Sequence, residues 1–313
     1  MKILVTGCAG FIGSHTSEEL LKQNHIVCGI DNMNDYYDPA IKEKNLEILR
    51  QYPSFTFIRE DICTTNIINE WKPDKICHLA GMAGVRYSIK HPELYVKVNI
   101  QGFIHLLEQA VKNNITQFVY ASSSSVYGLN KSVPFSEKDT IETCNSPYAC
   151  SKRCMEIFAK TYNQLYGIKI LGLRFFTVYG PRGRSDMAPY KFINAIHNQE
   201  LFDKYGSGES SRDYTYIDDI VSGIISALEN KKNIQCSIYN LGNSNPVSLN
   251  TFIELCEKVV QKKALYNQIG VQKGDVPHTF ADITNAKQDL NYNPQISLGE
   301  GLGKLFKWIQ TQH

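Results

Sequence analysis

The order of apolar runs along the chain is the strongest constraint on what it can fold into. Ile3-Leu4-Val5, His25 to Ile30, Phe55 to Ile58, Lys75 to Leu79, Phe118 to Ala121 and Lys169 to Arg174 read as short buried strands. Phe11 to Asn24, Pro39 to Gln51, Pro92 to Asn113 and Ser146 to Tyr166 carry apolar residues at helical spacing. Near-continuous apolar strands alternating with amphipathic helices predict an α/β fold with a doubly wound parallel sheet covered on both faces. After Thr177 the pattern loosens into Gly-Pro-Arg-rich loops. A helix is expected near Asp218 to Glu229, a strand near Ile238 to Leu241, and helices over Leu249 to Lys262 and Leu298 to Gln310. We expect residues 1–176 to form a dinucleotide-binding domain. Residues 177–313 are expected to form a smaller α/β substrate-binding domain, with segments returning to the first sheet.

The 313 residues are enough to bury a core without a disulfide or metal staple. Hydrophobic residues make up 42% and charged residues 20%, which argues against wholesale disorder. Lys plus Arg is 33 and Asp plus Glu is 31, so the chain lacks the basic excess of a nucleic-acid binder. The nine cysteines include no Cys-x-x-Cys, and we expect reduced thiols and no metal site. The apolar run after Met1-Lys2 ends at Thr6-Gly7, and no stretch approaches the roughly 20 apolar residues of a membrane span. The expected setting is cytoplasmic, with no membrane partner.

Thr6-Gly7-Cys8-Ala9-Gly10-Phe11-Ile12-Gly13 lies between the first strand and the first helix. Glycines there allow a tight turn, close approach of backbone to a pyrophosphate, and tight packing of helix on strand. This is the context of a Rossmann-type NAD site. Asp31 ends the second strand, where a carboxylate can bind the adenosine ribose and repel a 2′-phosphate, so NAD is expected rather than NADP. Asp61, after the third strand, is a candidate for the adenine amino group.

A tyrosine and a lysine four apart on a helix share one face. The lysine charge can then lower the tyrosine pKa and free a phenolate as base. Two such pairs exist. Tyr127 and Lys131 fall in a loop, whereas Tyr148 and Lys152 open a helix. A serine run, Ser122 to Ser125, ends the fifth strand, at the sheet edge where ligands of such folds sit.

These motifs resemble the extended short-chain dehydrogenase/reductase family over essentially the whole chain. The resemblance also draws on His78-Leu79-Ala80-Gly81, Asn99 to Gly102, and Arg212-Asp213-Tyr214. It implies Ser123, Tyr148 and Lys152 as the catalytic set. It implies NAD contacts from Gly7, Gly10, Phe11, Ile12, Gly13, Asp31, Asn32, Asp61, Ile62, Leu79, Ala80, Gly81, Asn99, Tyr148 and Lys152. The Gly206 to Tyr214 stretch resembles the family's nucleotide-sugar loop, with Arg212 on the diphosphate and Asp275 as a further substrate contact. This chain departs from the family pattern at Gln272, where a second arginine is usual before Gly-Asp. A homodimer is expected, because the two long helices resemble those used for dimers in this family.

Within the family, 4,6-dehydratases carry Asp-Glu after the catalytic Thr, and decarboxylases usually carry Glu at the second position. Here those positions are Ser124 and Ser125. Asp31 to Pro39 and Thr177 to Ala188 are similar to UDP-glucuronate 4-epimerases, whereas UDP-galactose 4-epimerases typically have Asn at the position of Thr177. A UDP-hexuronate brings a carboxylate that needs a cation and donors. Arg184, Thr177, Ser124 and Ser125 can supply them, with Arg182 and Arg86 as rival cations. The expected activity is a 4-epimerase acting on UDP-glucuronate. A UDP-glucose or UDP-N-acetylglucosamine 4-epimerase, a UDP-glucuronate decarboxylase and a non-enzymatic NAD sensor are the alternatives.

Overall fold

The computed structural model describes residues 1–230, 232, 234–270 and 276–312. Twelve strands are found among them: β1 (Lys2–Thr6), β2 (Ile26–Ile30), β3 (Phe55–Ile58), β4 (Lys75–His78), β5 (Gln117–Ser123), β6 (Ile170–Phe175), β7 (Thr177–Tyr179), β8 (Leu201–Tyr205), β9 (Ser211–Tyr216), β10 (Cys236–Leu241), β11 (Pro246–Ser248) and β12 (Leu265–Ile269). Seven form one sheet in the order β3-β2-β1-β4-β5-β6-β10, and every neighbouring pair is parallel. Ile3, Leu4 and Val5 at its centre are fully buried, because helices cover both faces.

From β1 the chain moves to β2 on one side, then later returns to β4 on the other. The strand order therefore reverses between β1 and β4, and a crevice opens at their carboxyl ends. β11, β9 and β7 make a separate three-stranded sheet, and β8 and β12 pair in parallel beside it. The helices Ala188–Asn198, Leu249–Val260 and Leu298–Gln310 pack on one another in this second region.

Two local features position the chemistry. The helix Pro147–Tyr166 starts where Ser146 Oγ accepts the Ala149 N–H at 3.1 Å, with Pro147 in its first turn. It stops at Gly167, whose φ of 69° ends the helix without a Cβ penalty. The expected helix over Pro92 to Asn113 is helical throughout but not uniform. Val96–Gln101 is a π-helical turn between Pro92–Tyr95 and Gly102–Lys112. Asn99 lies in that turn and is fully buried.

The glycine turn after β1 tolerates no side chain at two positions. A Cβ at Gly13 would lie 2.0 Å from the Gly7 carbonyl oxygen, and one at Gly7 would lie 2.8 Å from the Ala80 backbone. Gly13→Ala is therefore expected to destabilise the protein by about 1–3 kcal/mol through overpacking against rigid backbone. Gly303→Ala, in a helix with open space around the new Cβ, is expected to stabilise by about 0.5–1 kcal/mol. Denaturant unfolding of both variants checks the pair.

Candidate active site

The crevice is a cleft that runs from the glycine turn to the ends of β5 and β6. Gly7, Gly10, Phe11, Ile12 and Gly13 form one end of its wall. The helix Phe11–Lys22 begins there with no capping side chain and no acidic residue in its first turn. Its first-turn amides and the positive end of its dipole thus face the cleft, as an anionic pyrophosphate requires. Asp31, Asn32, Ile62, Leu79, Ala80 and Gly81 line the adjoining wall.

Asp31 is buried, and its Oδ1 accepts the Met33 N–H at 2.9 Å. Among the described residues its second oxygen accepts no hydrogen bond, and it remains for a ribose hydroxyl. A cation does stand beside Asp31: Lys42 Nζ lies 3.6 Å from its Oδ1. Lys42 also donates to the carbonyl and side-chain oxygens of Asn34, at 3.0 and 3.2 Å. Its charge is thus already engaged by the loop, which carries Asp31 as well.

Ser123, Tyr148 and Lys152 share the opposite end of the cleft. Lys152 Nζ is buried and donates to the Ala121 carbonyl at 2.8 Å. Burial lowers its pKa from 10.5 to about 8, opposed by the Glu156 charge. Ser123 Oγ accepts the Ser125 N–H at 3.1 Å, and its own hydroxyl proton is directed to the Tyr148 oxygen. Tyr148 is corrected on one point. Its pKa is raised, not lowered, because burial outweighs the hydrogen bond from Ser123 and the charge of Arg184. The rival Tyr127 is a core residue: its hydroxyl donates to Asn240 Oδ1 at 2.7 Å, and its ring stacks on Phe135.

The two arginines of the Gly-Pro-Arg-Gly-Arg loop separate cleanly. Arg182 Nη2 is 2.6 Å from Glu18 Oε2, and its guanidinium also contacts His15, so it staples the loop to the helix Phe11–Lys22. Arg184 lines the cleft. It pairs with Asp186 and donates to the Tyr36 hydroxyl at 3.3 Å.

Other expected site residues lie elsewhere. Asn99 is not on the cleft wall. Its amide nitrogen donates to Met82 O and Ser151 Oγ, both at 2.9 Å, and its oxygen accepts the Met82 N–H at 2.7 Å. It braces the strand-end loop rather than presenting a free group. Asp61 is spent on the Cys63 N–H at 2.8 Å and on Asn32 at 3.3 Å. Ser124, Ser125 and Thr177 adjoin wall residues without lining the cleft. Arg86 is exposed and stacks on the Tyr205 ring at 5.0 Å. Arg212 donates to the Ser211 and Pro277 carbonyls, at 2.9 and 3.3 Å, in the second region. Asp275, with Gln272, lies outside the described residues. Sequence reasoning missed Tyr36, Lys42, Glu60 and Met187, all of which line the cleft. Tyr36 had a signal, since it sits in the Asp31 to Pro39 stretch.

Comparison with known proteins agrees with this geometry. The chain belongs to the GDP-mannose 4,6 dehydratase family, which it matches over residues 4–305. It is 42% identical to a UDP-glucuronate 4-epimerase of Thermodesulfobacterium geofontis, covering 97% of this chain and 95% of that one. Its structure is similar to UDP-glucuronic acid 4-epimerase from Bacillus cereus in complex with UDP-glucuronic acid and NAD, with a TM-score of 0.96, 38% identity and full coverage of both chains. A UDP-glucose 4-epimerase of Thermotoga maritima with UDP-glucose gives a TM-score of 0.90 at 30% identity, covering 100% of this chain and 99% of that one.

The two arginines should differ in stability experiments. Arg182→Ala removes one of the two cations on Glu18, leaving Lys22 at 2.8 Å, and also breaks the contact with His15; it is expected to cost about 1–2 kcal/mol. Arg184→Ala removes a pair whose acid, Asp186, is 49% exposed, and is expected to change stability by less than about 1 kcal/mol. Thermal unfolding of the two variants tests the division.

Proposed function

We propose that the protein is an NAD-dependent 4-epimerase that interconverts UDP-glucuronate and UDP-galacturonate through a transient 4-keto sugar. One observation carries this reading. Arg184, a cation suited to a carboxylate, lines the same cleft as Ser123, Tyr148 and Lys152. The greater likeness to the uronate epimerase than to the UDP-glucose epimerase supports it.

The residues present fit NAD: a glycine turn with no room for side chains, an uncapped helix start and a buried carboxylate at the ribose position. NAD, when bound, accepts the C4 hydride and returns it. Tyr148 Oη, as the phenolate, takes the C4 hydroxyl proton, and Ser123 Oγ hydrogen-bonds the same C4 oxygen while keeping its own proton. Lys152 places a buried positive charge beside the nicotinamide end of the cleft. The keto sugar then turns about its diphosphate link and receives the hydride on its other face, with Tyr148 returning the proton.

Arg184 binds the C6 carboxylate from the cleft wall. Arg212, in the second region, binds the diphosphate. A 4-keto uronate is a β-keto acid and can lose carbon dioxide. The carboxylate clamp must resist the geometry that breaks that bond.

In this reading residues 1–176 form the NAD-binding domain, and residues 177–313 mainly bind the nucleotide sugar. The protein acts in the cytoplasm; among the described residues no helix is long and apolar enough to cross a membrane. It pairs as a homodimer through the helix Pro147–Tyr166, whose Ile157, Leu165 and Tyr166 are more than half exposed.

Incubation with UDP-glucuronate is expected to yield UDP-galacturonate, resolved by chromatography. Arg184→Ala is expected to weaken UDP-glucuronate ten- to a hundredfold, from loss of about 1.5–3 kcal/mol of charge-assisted bonding. UDP binding should be nearly unchanged, and some pentose product should appear. Equal weakening of UDP and UDP-glucuronate would make Arg184 a phosphate or structural group and favour a neutral-sugar epimerase.

A further inference from the structure

Beneath the cleft lies a buried ionic cluster that the chemistry above does not use. Glu156 Oε1 accepts Arg174 Nε at 2.8 Å, and Glu156 Oε2 accepts Arg174 Nη2 at 2.9 Å. Ser122 Oγ donates to Glu156 Oε1 at 2.7 Å, and Arg153 donates to Oε2 at 2.9 Å. The Glu156 side chain is 0% exposed and that of Arg174 is 2% exposed. Arg174 also lies over the Tyr127 ring, 4.7 Å from its centre.

Three members of this cluster, Ser122, Arg153 and Glu156, sit next to the catalytic set in the chain or one helical turn away. Glu156 is one turn beyond Lys152 and two turns beyond Tyr148 on the helix Pro147–Tyr166. Three consecutive residues of β5 meet these three helix residues. Ala121 receives Lys152, Ser122 bonds Glu156, and Ser123 bonds Tyr148. Arg174 fixes the same glutamate to β6, the next strand. A bidentate, fully desolvated pair admits little sliding or rotation, since both would break charge-assisted bonds with no water to replace them.

We propose that Glu156, through its bridges to Arg174 and Ser122, is a positioning residue that holds Tyr148 and Lys152 in register with Ser123. The proposal rests on the catalytic set assigned above but not on the identity of the sugar.

The cluster also acts on Lys152 through charge. The titratable or charged groups near Lys152 are Tyr148 and Glu156 on its own helix, His78 on β4 and, through Glu156, Arg174 on β6 and Arg153. Burial keeps His78 neutral, lowering its pKa to about 3. Glu156 is held ionised: burial would raise its pKa, but Arg174, Ser122 and Arg153 bring it below the ordinary value. Its negative charge opposes the burial that lowers the Lys152 pKa to about 8. Without that charge Lys152 loses its proton at lower pH. Activity that needs charged Lys152 would then be lost at lower pH as well.

The test is Glu156→Gln in the full-length, NAD-loaded protein, assayed on whichever UDP-sugar the wild type converts. A wrong sugar assignment therefore does not touch the result, and failure of the wild type on every UDP-sugar would instead overturn the proposed function. We expect kcat to fall ten- to a hundredfold, KM and bound NAD to stay within about threefold, and the alkaline limb of kcat to move to lower pH. A folded variant with wild-type kcat and an unmoved alkaline limb overturns the proposal. Ser122→Ala decides the matter if Glu156→Gln does not fold, because it leaves the ion pair intact. It is expected to lower kcat at least threefold with KM unchanged, and wild-type kcat in that variant would equally overturn the proposal.

Discussion

The pairing of β1 with β2 on one edge and β4 on the other is the constraint from which the site follows. It puts the strand-order reversal at the middle of the sheet. The glycine turn and the uncapped helix start then stand over the crevice on one side, and the Leu79–Gly81 segment stands on the other. Thr6, the last residue of β1, ties the two sides together. Its hydroxyl bonds His78 Nδ1 at 2.8 Å and accepts the Ala80 N–H at 3.1 Å. Asn99 holds the same segment from above through Met82, and reaches the catalytic helix through Ser151. The cleft wall is therefore fixed by hydrogen bonds that leave few of its own atoms committed.

Three arginines show how one residue type is given three tasks by burial. Arg174 is almost fully withdrawn from water, and it meets Glu156 through Nε and Nη2 while lying over the Tyr127 ring. Such a pair is costly to form and costly to break, so its value is in geometry rather than net stability. Arg182, with its side chain 10% exposed, is committed to Glu18 and His15 and fixes the loop that follows β7. Arg184, on the same loop, has an exposed acid as its partner and the cleft in front of it. Solvent screens that pair, so exchanging Asp186 for a substrate carboxylate costs little. The rigid arginine two residues away is what lets the exchangeable one keep its place.

Much of this was legible in the sequence because it depends on local pattern. The six apolar runs became six strands of the main sheet, and the Tyr148–Lys152 pair lies on a helix and lines the cleft, whereas Tyr127 is buried in the core. What was not legible depends on distant partners. Nothing in Arg182 and Arg184 as letters tells which meets Glu18, since that contact spans 164 residues of chain. The short helix Val85–Lys90 and the three-residue strands β7 and β11 are too short to show a period, and β8, β9 and β12 mix polar with apolar residues and lack a continuous apolar run. Asn99 was read as a ligand contact because its position matches a motif. The π-helical turn instead aims it at the Met82 backbone. Lys42 was invisible as a neighbour of Asp31 because a loop and a helix turn separate them.

The error about Tyr148 carries a physical lesson. The helical spacing rightly places a cation near a phenol, and opposite charges do lower a phenol's pKa. Burial acts on both groups at once, and in each it opposes charge. It lowers Lys152 to about 8 and raises Tyr148 above its ordinary value. The protein alone therefore favours a neutral tyrosine, and spacing by itself does not produce a base. What the chain sets against burial is Ser123, which hydrogen-bonds the phenol oxygen, Arg184, whose charge favours the phenolate, and Glu156, whose charge keeps Lys152 protonated. Two of these three stand outside the Tyr-Lys motif on other elements of the fold. The reactivity of the motif is thus a property of the assembled cleft, with β5, the Arg184 loop and the buried cluster each supplying part of it.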